Sequence, residues 1–266
     1  MSRAIGAALD TRTFGRVDLG VDHYVESLAS AMTTVLDFQL VGVYLHGSMV
    51  LGGFDPRRSD VDVLVVTSNP MTPERQSAAA QVLSQDVLPC PAQGLELSIL
   101  THEVTLHPSS RPPFELHITT APEDSKVIDG HGRAGDPDLV LHFAVCRAAG
   151  RLIGSGLPRE QVFGPVPRPL VLAQLVEELE WAAEHAANEY AILNACRAWK
   201  FVLEGDLVSK VEGGRWALDR VRKRSHRALI AAALDRQTSV SAPAISASTA
   251  HRFARDIRAE LWVASE

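Results

Sequence analysis

The chain contains Val41-Gly42-Val43-Tyr44-Leu45-His46-Gly47-Ser48 and, after eleven further residues, Asp60-Val61-Asp62-Val63-Leu64-Val65-Val66. The first apolar run ends in Gly47-Ser48, and the second opens on two aspartates. Side chains at i and i+2 of a strand point to the same face, so Asp60 and Asp62 project together where a buried strand begins. Adjacent carboxylates repel unless a cation lies between them. Hard oxygen ligands of this kind suit Mg²⁺, which keeps part of its water and shares itself with substrate phosphates. Gly47 has no Cβ, which lets backbone amides approach a phosphate closely. Taken singly, a Gly-Ser is an ordinary turn and an Asp-x-Asp an ordinary solvated cap. Their order, between two strand-like runs, points to metal-assisted transfer of a nucleotide, with Asp60 and Asp62 holding Mg²⁺ and Gly47 and Ser48 holding phosphates. Ser59 offers either a further hydroxyl to the site or a turn hydroxyl that bonds its own backbone.

Around this stretch the pattern predicts a helix over 21–36, with Val25, Leu28, Met32 and Leu36 near one face. Strands are expected at 41–45, 61–66 and 94–101, with a possible further one at 114–119. A helix with Pro73 at its start is expected over 73–88. Further on, a helix is expected over 138–153, and a proline-rich extended connector over 158–169. The proline-free run 170–204 reads as two helices, 216–234 as one, 239–248 as a loop and 249–263 as a closing helix. Residues 1–20 read as a short helix or a frayed arm. The expected fold is α+β. Residues 1–157 are expected to form one domain, a small mixed sheet flanked by helices, and residues 158–266 an α-helical bundle.

The segments Leu45-His46-Gly47-Ser48-Met49-Val50-Leu51-Gly52-Gly53-Phe54 and Ser59-Asp60-Val61-Asp62-Val63-Leu64-Val65 resemble the polymerase β-like nucleotidyltransferases. More narrowly they resemble the streptomycin/spectinomycin adenylyltransferases. Leu95-Glu96-Leu97-Ser98-Ile99, Asp136-Pro137-Asp138-Leu139, Val162-Phe163-Gly164-Pro165-Val166-Pro167, Tyr190 to Trp199 and Gly205 to Lys210 extend the resemblance over residues 25 to 235. The resemblance implies transfer of AMP from ATP to a hydroxyl of an aminoglycoside or aminocyclitol, with release of pyrophosphate and antibiotic resistance. It implies that Glu96 is the general base, as a third carboxylate beside two Mg²⁺ ions, and that Arg197 and Lys210 reach the ATP phosphates from the second domain. Read by periodicity alone, Glu96 is the wet face of a strand, and Arg197 and Lys210 are surface cations.

For the acceptor, a polycation, carboxylates are the natural partners. Glu180, Trp181 and Glu184 are the candidates, and Glu180 and Glu184 share a helix face one turn apart. The family carries aspartates in an Asp-Trp-Ala-x-Asp pattern, where this chain has Glu180-Trp181-Ala182-Ala183-Glu184. An earlier aromatic of the streptomycin-modifying members has no counterpart, since Leu175 and Val176 stand there. A different acceptor, such as a protein hydroxyl or a metabolite, therefore stays open as the second reading.

Composition sets wider bounds. Of the 266 residues, 46% are hydrophobic and 22% charged, an ordinary globular balance, and the formal net charge is −6. That charge disfavours a nucleic-acid partner and suits a cationic one. The cysteines Cys90, Cys146 and Cys196 are widely spaced and read as reduced thiols, and no run approaches the length of a membrane span. The expectation is a cytoplasmic monomer, without nucleic-acid or membrane partners. The histidines show no metal-ligand spacing and read as surface or satisfied core groups.

Overall fold

The computed structural model describes residues 19–238 and 242–265. Expectations for residues 1–18 and 239–241 lie outside the described residues. Helix α1 (Leu19–Leu36) leads through a 3-10 turn (Asp37–Gln39) to β1 (Leu40–Leu45), the short α2 (Ser48–Leu51) and β2 (Val61–Thr67). Then follow α3 (Pro73–Val82), β3 (Leu95–Thr101), α4 (His102–Leu106), β4 (Leu116–Thr119), β5 (Lys126–Asp129), α5 (Leu139–Ala149), β6 (Arg151–Ile153) and α6 (Arg159–Val162). The chain ends in α7 (Arg168–His185), α8 (Asn188–Glu204), α9 (Lys210–Arg220), α10 (Arg224–Thr238) and α11 (Ala247–Ser265).

The strands form one mixed sheet in the order β5-β4-β3-β2-β1-β6. Among the described residues only β2 and β3 pair in parallel, and α3 supplies the crossover a parallel pair needs. Alternation along β2 decides which side chains face which layer. Val61, Val63 and Val65 pack under α1 against Val25, Leu28 and Met32, while Leu64 and Val66 pack on the other face against Phe143 and Cys146 of α5. Asp62 shares the second face, at the rim where β2 begins.

A third core lies among the C-terminal helices, where Val171, Leu175 and Leu179 of α7 meet Ile192, Cys196, Ala217, Ile230 and Phe253. Helix α5 serves two cores at once, because Leu139 and Phe143 face the sheet while Val140 and Leu141 face the helical bundle. The α+β architecture is the expected one. Among the described residues, no helix is long and apolar enough to cross a membrane.

The elements differ from expectation in instructive places. Helix α3 stops at Val82; Leu83 leaves helical geometry at ψ 1°, and the Ser84 hydroxyl donates to the Gln81 carbonyl at 2.8 Å. The segment expected as one helix over 216–234 is two helices, since Val221 is extended (ψ 126°) and buried. The segment 138–153 turns at Gly150, so that β6 can pair with β1 at the sheet edge. The proline-rich connector holds the single turn α6, and the edge strand β5 has only Val127 and Ile128 between two charged residues, too short an apolar pattern to mark a strand.

Candidate active site

The acidic side chains meet at one end of the sheet. Asp62 and Glu96 are direct partners across the parallel β2–β3 pair, and Asp60 lies one pleat before Asp62. Strand β1 runs antiparallel to β2, which brings its end, with His46 and Gly47, beside the start of β2; the His46 amide donates to the Asp62 carbonyl at 3.0 Å. Gly47 has φ +60°, and a Cβ there would fall 1.8 Å from Oδ2 of Asp62. The Ser48 backbone amide donates to the same carboxylate. The turn after β1 and the carboxylate on β2 are thus fitted to each other.

Burial, then the nearby Glu96 and Asp60 charges, push the Asp62 carboxyl well above the ordinary carboxylate range. Burial and Glu96 raise Asp60 in the same direction. Two buried atoms here, Oδ1 of Asp60 and Oγ of Ser48, have no hydrogen-bond partner. A rim of mutually repelling carboxylates beside an unpartnered hydroxyl fits a hard cation shared with phosphate oxygens. Among the described residues, no three His, Cys, Asp or Glu side chains close a metal cage by themselves. The donor set therefore fits Mg²⁺ completed by substrate oxygens and water, rather than a cage built wholly of protein. The Ser59 hydroxyl accepts from the Asp55 amide at 3.2 Å, the turn-forming alternative.

The helical domain brings Lys210 to this rim, with Arg197 behind it. Ser209 caps α9 by accepting from the Glu212 amide at 3.2 Å, which makes Lys210 the first helical residue. Gly213, one turn on, allows α9 to press against α8: a Cβ there would lie 2.8 Å from the Arg197 Cα. The Lys210 ammonium lies 3.9 Å from the centre of the Tyr190 ring. Burial, then the Arg197 charge, lowers its pKa to about 8, against the pull of Glu178, Asp62 and Asp60. Arg197 pairs with Glu178 at 2.5 Å; Tyr190 and Asn194 donate to the other oxygen of that carboxylate at 3.1 and 2.9 Å. Burial works to raise the Glu178 pKa, but the Arg197 and Lys210 charges prevail and hold it below the usual range. The loop before Asp60 also reaches the bundle, where Arg58 donates to the Arg236 carbonyl.

The structure thus groups Gly47, Ser48, Asp60, Asp62, Glu96 and Lys210, with Ser59 at the edge and Arg197 behind Lys210, paired with Glu178. Trp181 packs edge-on to Tyr190 at 6.4 Å and is 54% exposed. Glu180 and Glu184 lie on the exposed side of α7. The acidic residue of α7 that faces the site is Glu178. Sequence periodicity carried the signal for it: Val171, Gln174, Leu175, Leu179 and Ala182 are buried, and Glu178 falls on that stripe. Two other neighbours were missed. His142 packs, tilted, against buried His46 at 4.7 Å between ring centres and stands 4.0 Å from Glu96, and Asp138, its pKa raised to about 6 by burial and by Asp136, accepts from Gln174 at 2.6 Å. Burial and the His142 charge keep His46 neutral.

Residues 33–108 match the family model of a nucleotidyltransferase domain, and residues 161–260 that of the aminoglycoside adenylyltransferase C-terminal domain. No curated protein matches the sequence. Among solved structures, the fold resembles spectinomycin adenyltransferase AAD(9) from Enterococcus faecialis, determined with ATP and spectinomycin. The TM-score is 0.70 at 17% identity, over 90% of this chain and 98% of that one, a likeness of fold.

Proposed function

We propose that the chain is an aminoglycoside adenylyltransferase, as the matches over residues 33–108 and 161–260 support, and that it transfers AMP from ATP to a hydroxyl of a spectinomycin- or streptomycin-type antibiotic. The observation that carries this reading is the pairing of Asp62 with Glu96 on adjacent strands, opposite the Gly47-Ser48 turn and beneath Lys210. The acceptor oxygen attacks the α-phosphorus of ATP, its proton passes to Glu96, and pyrophosphate leaves. Two Mg²⁺ ions on Asp60 and Asp62, with Glu96 alongside, would supply charge neutralisation for the triphosphate and the pentacoordinate phosphorus. Gly47 and Ser48 hold phosphate oxygens, with Ser59 steadying their loop. Lys210 and Arg197 bind the β- and γ-phosphates, which ties closure of the two domains to nucleotide binding.

The domains divide as 1–157 and 158–266, with the site between them. One chain supplies both halves of that site, which fits a cytoplasmic monomer. The acceptor enters along α7, where Trp181 offers an exposed face and Glu180 and Glu184 an acidic approach to a polycation. Among antibiotics spectinomycin comes first, because Leu175 is buried and Leu175-Val176 offers no aromatic at that position.

The test is incubation of the protein with each nucleoside triphosphate, Mg²⁺ and a panel of aminoglycosides, reading pyrophosphate and product mass. A spectinomycin or streptomycin adduct heavier by AMP is the expected product. Pyrophosphate without an antibiotic adduct would transfer the reading to a protein hydroxyl or a metabolite.

A further inference from the structure

The Lys210 ammonium lies 3.9 Å over the Tyr190 ring while three carboxylates bear on it: Asp60 just ahead of β2, Asp62 from β2 and Glu178 from α7. Arg197 from α8 is the nearby like charge. Among the described residues, none of these carboxylates closes to an ion pair with Lys210; Glu178 is bound instead by Arg197, Asn194 and Tyr190. This arrangement has a chemical consequence. An ammonium collapsed onto Asp60 or Asp62 would neutralise a cation-holding carboxylate and a phosphate-binding lysine together. A ring face attracts the ammonium without bonding its protons, so all three N–H donors remain free for an incoming anion.

Tyr190 is itself held rigidly. Its hydroxyl donates to Oε1 of Glu178 at 3.1 Å, and Trp181 meets its ring edge-on at 6.4 Å. We propose that Tyr190 is the positioning residue for Lys210: its ring suspends the ammonium between the carboxylate rim and Arg197, open to the triphosphate. This role rests on the nucleotide site proposed above.

The test is calorimetric titration of the full chain with ATP and Mg²⁺, without acceptor, which reads binding apart from turnover. Tyr190→Leu is expected to weaken ATP about tenfold, the effect of losing one desolvated cation–ring contact. Tyr190→Phe keeps the ring and is expected to stay within about threefold of the parent. Pentafluorophenylalanine at position 190 keeps the shape but reverses the ring's charge distribution; it should behave like leucine, and it serves where Tyr190→Leu does not fold. In a Lys210→Met background, Tyr190→Leu should add less than about twofold. Parent-like binding by both the leucine and the fluorinated variants would overturn the role. So would equal losses in the phenylalanine and leucine variants, or additive losses in the double mutant. An unaltered protein that binds no ATP would remove the nucleotide site and this role with it, an outcome distinct from the other three.

Discussion

Gly47 and Asp62 occupy one space: a Cβ on Gly47 would stand 1.8 Å from the Asp62 Oδ2. The turn that ends β1 and the carboxylate that opens β2 are therefore a single unit, in which the Ser48 amide donates to the same side chain. A side chain added to the turn displaces a proposed cation ligand, and loss of the side-chain oxygen that accepts from Ser48 loosens the proposed phosphate loop.

Gly47→Ala should accordingly damage chemistry more than stability. At φ +60°, ψ −143° the backbone lies in a region essentially reserved for glycine, which costs another residue about 1–3 kcal/mol, a fall of several degrees in Tm. The displaced carboxylate would reduce turnover by about a hundredfold or more, the scale of a misplaced catalytic constellation. Pyrophosphate release and a melting curve on the same sample separate the two, and parent-like turnover would dissociate Gly47 from the site.

Asp62→Asn should abolish turnover yet stabilise the protein in the absence of divalent cations. Burial, Glu96 and Asp60 raise the Asp62 pKa above the ordinary 3.8. Between 3.8 and that raised value the folded state binds the extra proton, so stability falls as pH rises through the window. At neutral pH the charged carboxylate is a cost that asparagine removes. The expected observation is a higher Tm at pH 7 and a flatter acid limb in the variant, measured with EDTA present. A lower Tm would mean that Asp62 is a structural group in the free protein.

The sheet and its rim were legible because β-strand alternation is short-range. Val61, Val63 and Val65 mark one face, and Asp60 and Asp62 must then share the other. The pairing of Asp62 with Glu96 is a matter of register, fixed by a crossover through α3 that no local pattern records. The α7 carboxylates show the opposite case. A run of glutamates drew attention to Glu180 and Glu184 as a pair, while the apolar stripe through Val171, Leu175 and Leu179 already placed Glu178 inward. Tyr190 lies beyond such reasoning, because its role depends on how closely α9 approaches α8, which Gly213 permits.

Glu96→Gln should separate base from ligand. Glu96 is 34% exposed at the rim, open to an acceptor hydroxyl, and has His142 at 4.0 Å. Loss of a general base lowers the chemical step by about 10²–10⁴-fold. ATP affinity should change by less than about threefold if proton removal is its main work. Single-turnover rates and calorimetric ATP binding give the two quantities, and matched losses in both would identify Glu96 as chiefly a cation ligand.

Lys210 should impose a basic limb on nucleotide binding. Its pKa of about 8 lies below the ordinary 10.5, so the free protein loses the ammonium as pH rises through about 8. ATP binding should weaken over the same interval, while Lys210→Met should bind weakly with no such limb. For stability the sign is opposite. Between about 8 and 10.5 the unfolded chain holds the proton that the folded chain has released, so stability rises with pH there. A pH series of ATP titrations from 6.5 to 9.5 checks the first statement, and an unchanged limb in Lys210→Met would assign it to another group.

The acceptor prediction concerns Trp181 and Glu184, which α7 presents differently. Trp181 packs against Tyr190, whose ring carries Lys210, and leaves 54% of its surface exposed beside the rim. Glu184 lies on the exposed side of the same helix, where a single charge is screened by solvent and salt. Trp181→Ala should therefore raise the KM for antibiotic about tenfold or more at any ionic strength, as loss of an aromatic contact does. Glu184→Ala should raise it only about two- to threefold, and less in high salt, as long-range attraction of a polycation does. Acceptor kinetics at two salt concentrations distinguish these cases. A salt-independent loss of binding in Glu184→Ala would mean that α7 turns this carboxylate onto the bound antibiotic, and that the acceptor is grasped from the outer face of the helix rather than from the Trp181 side.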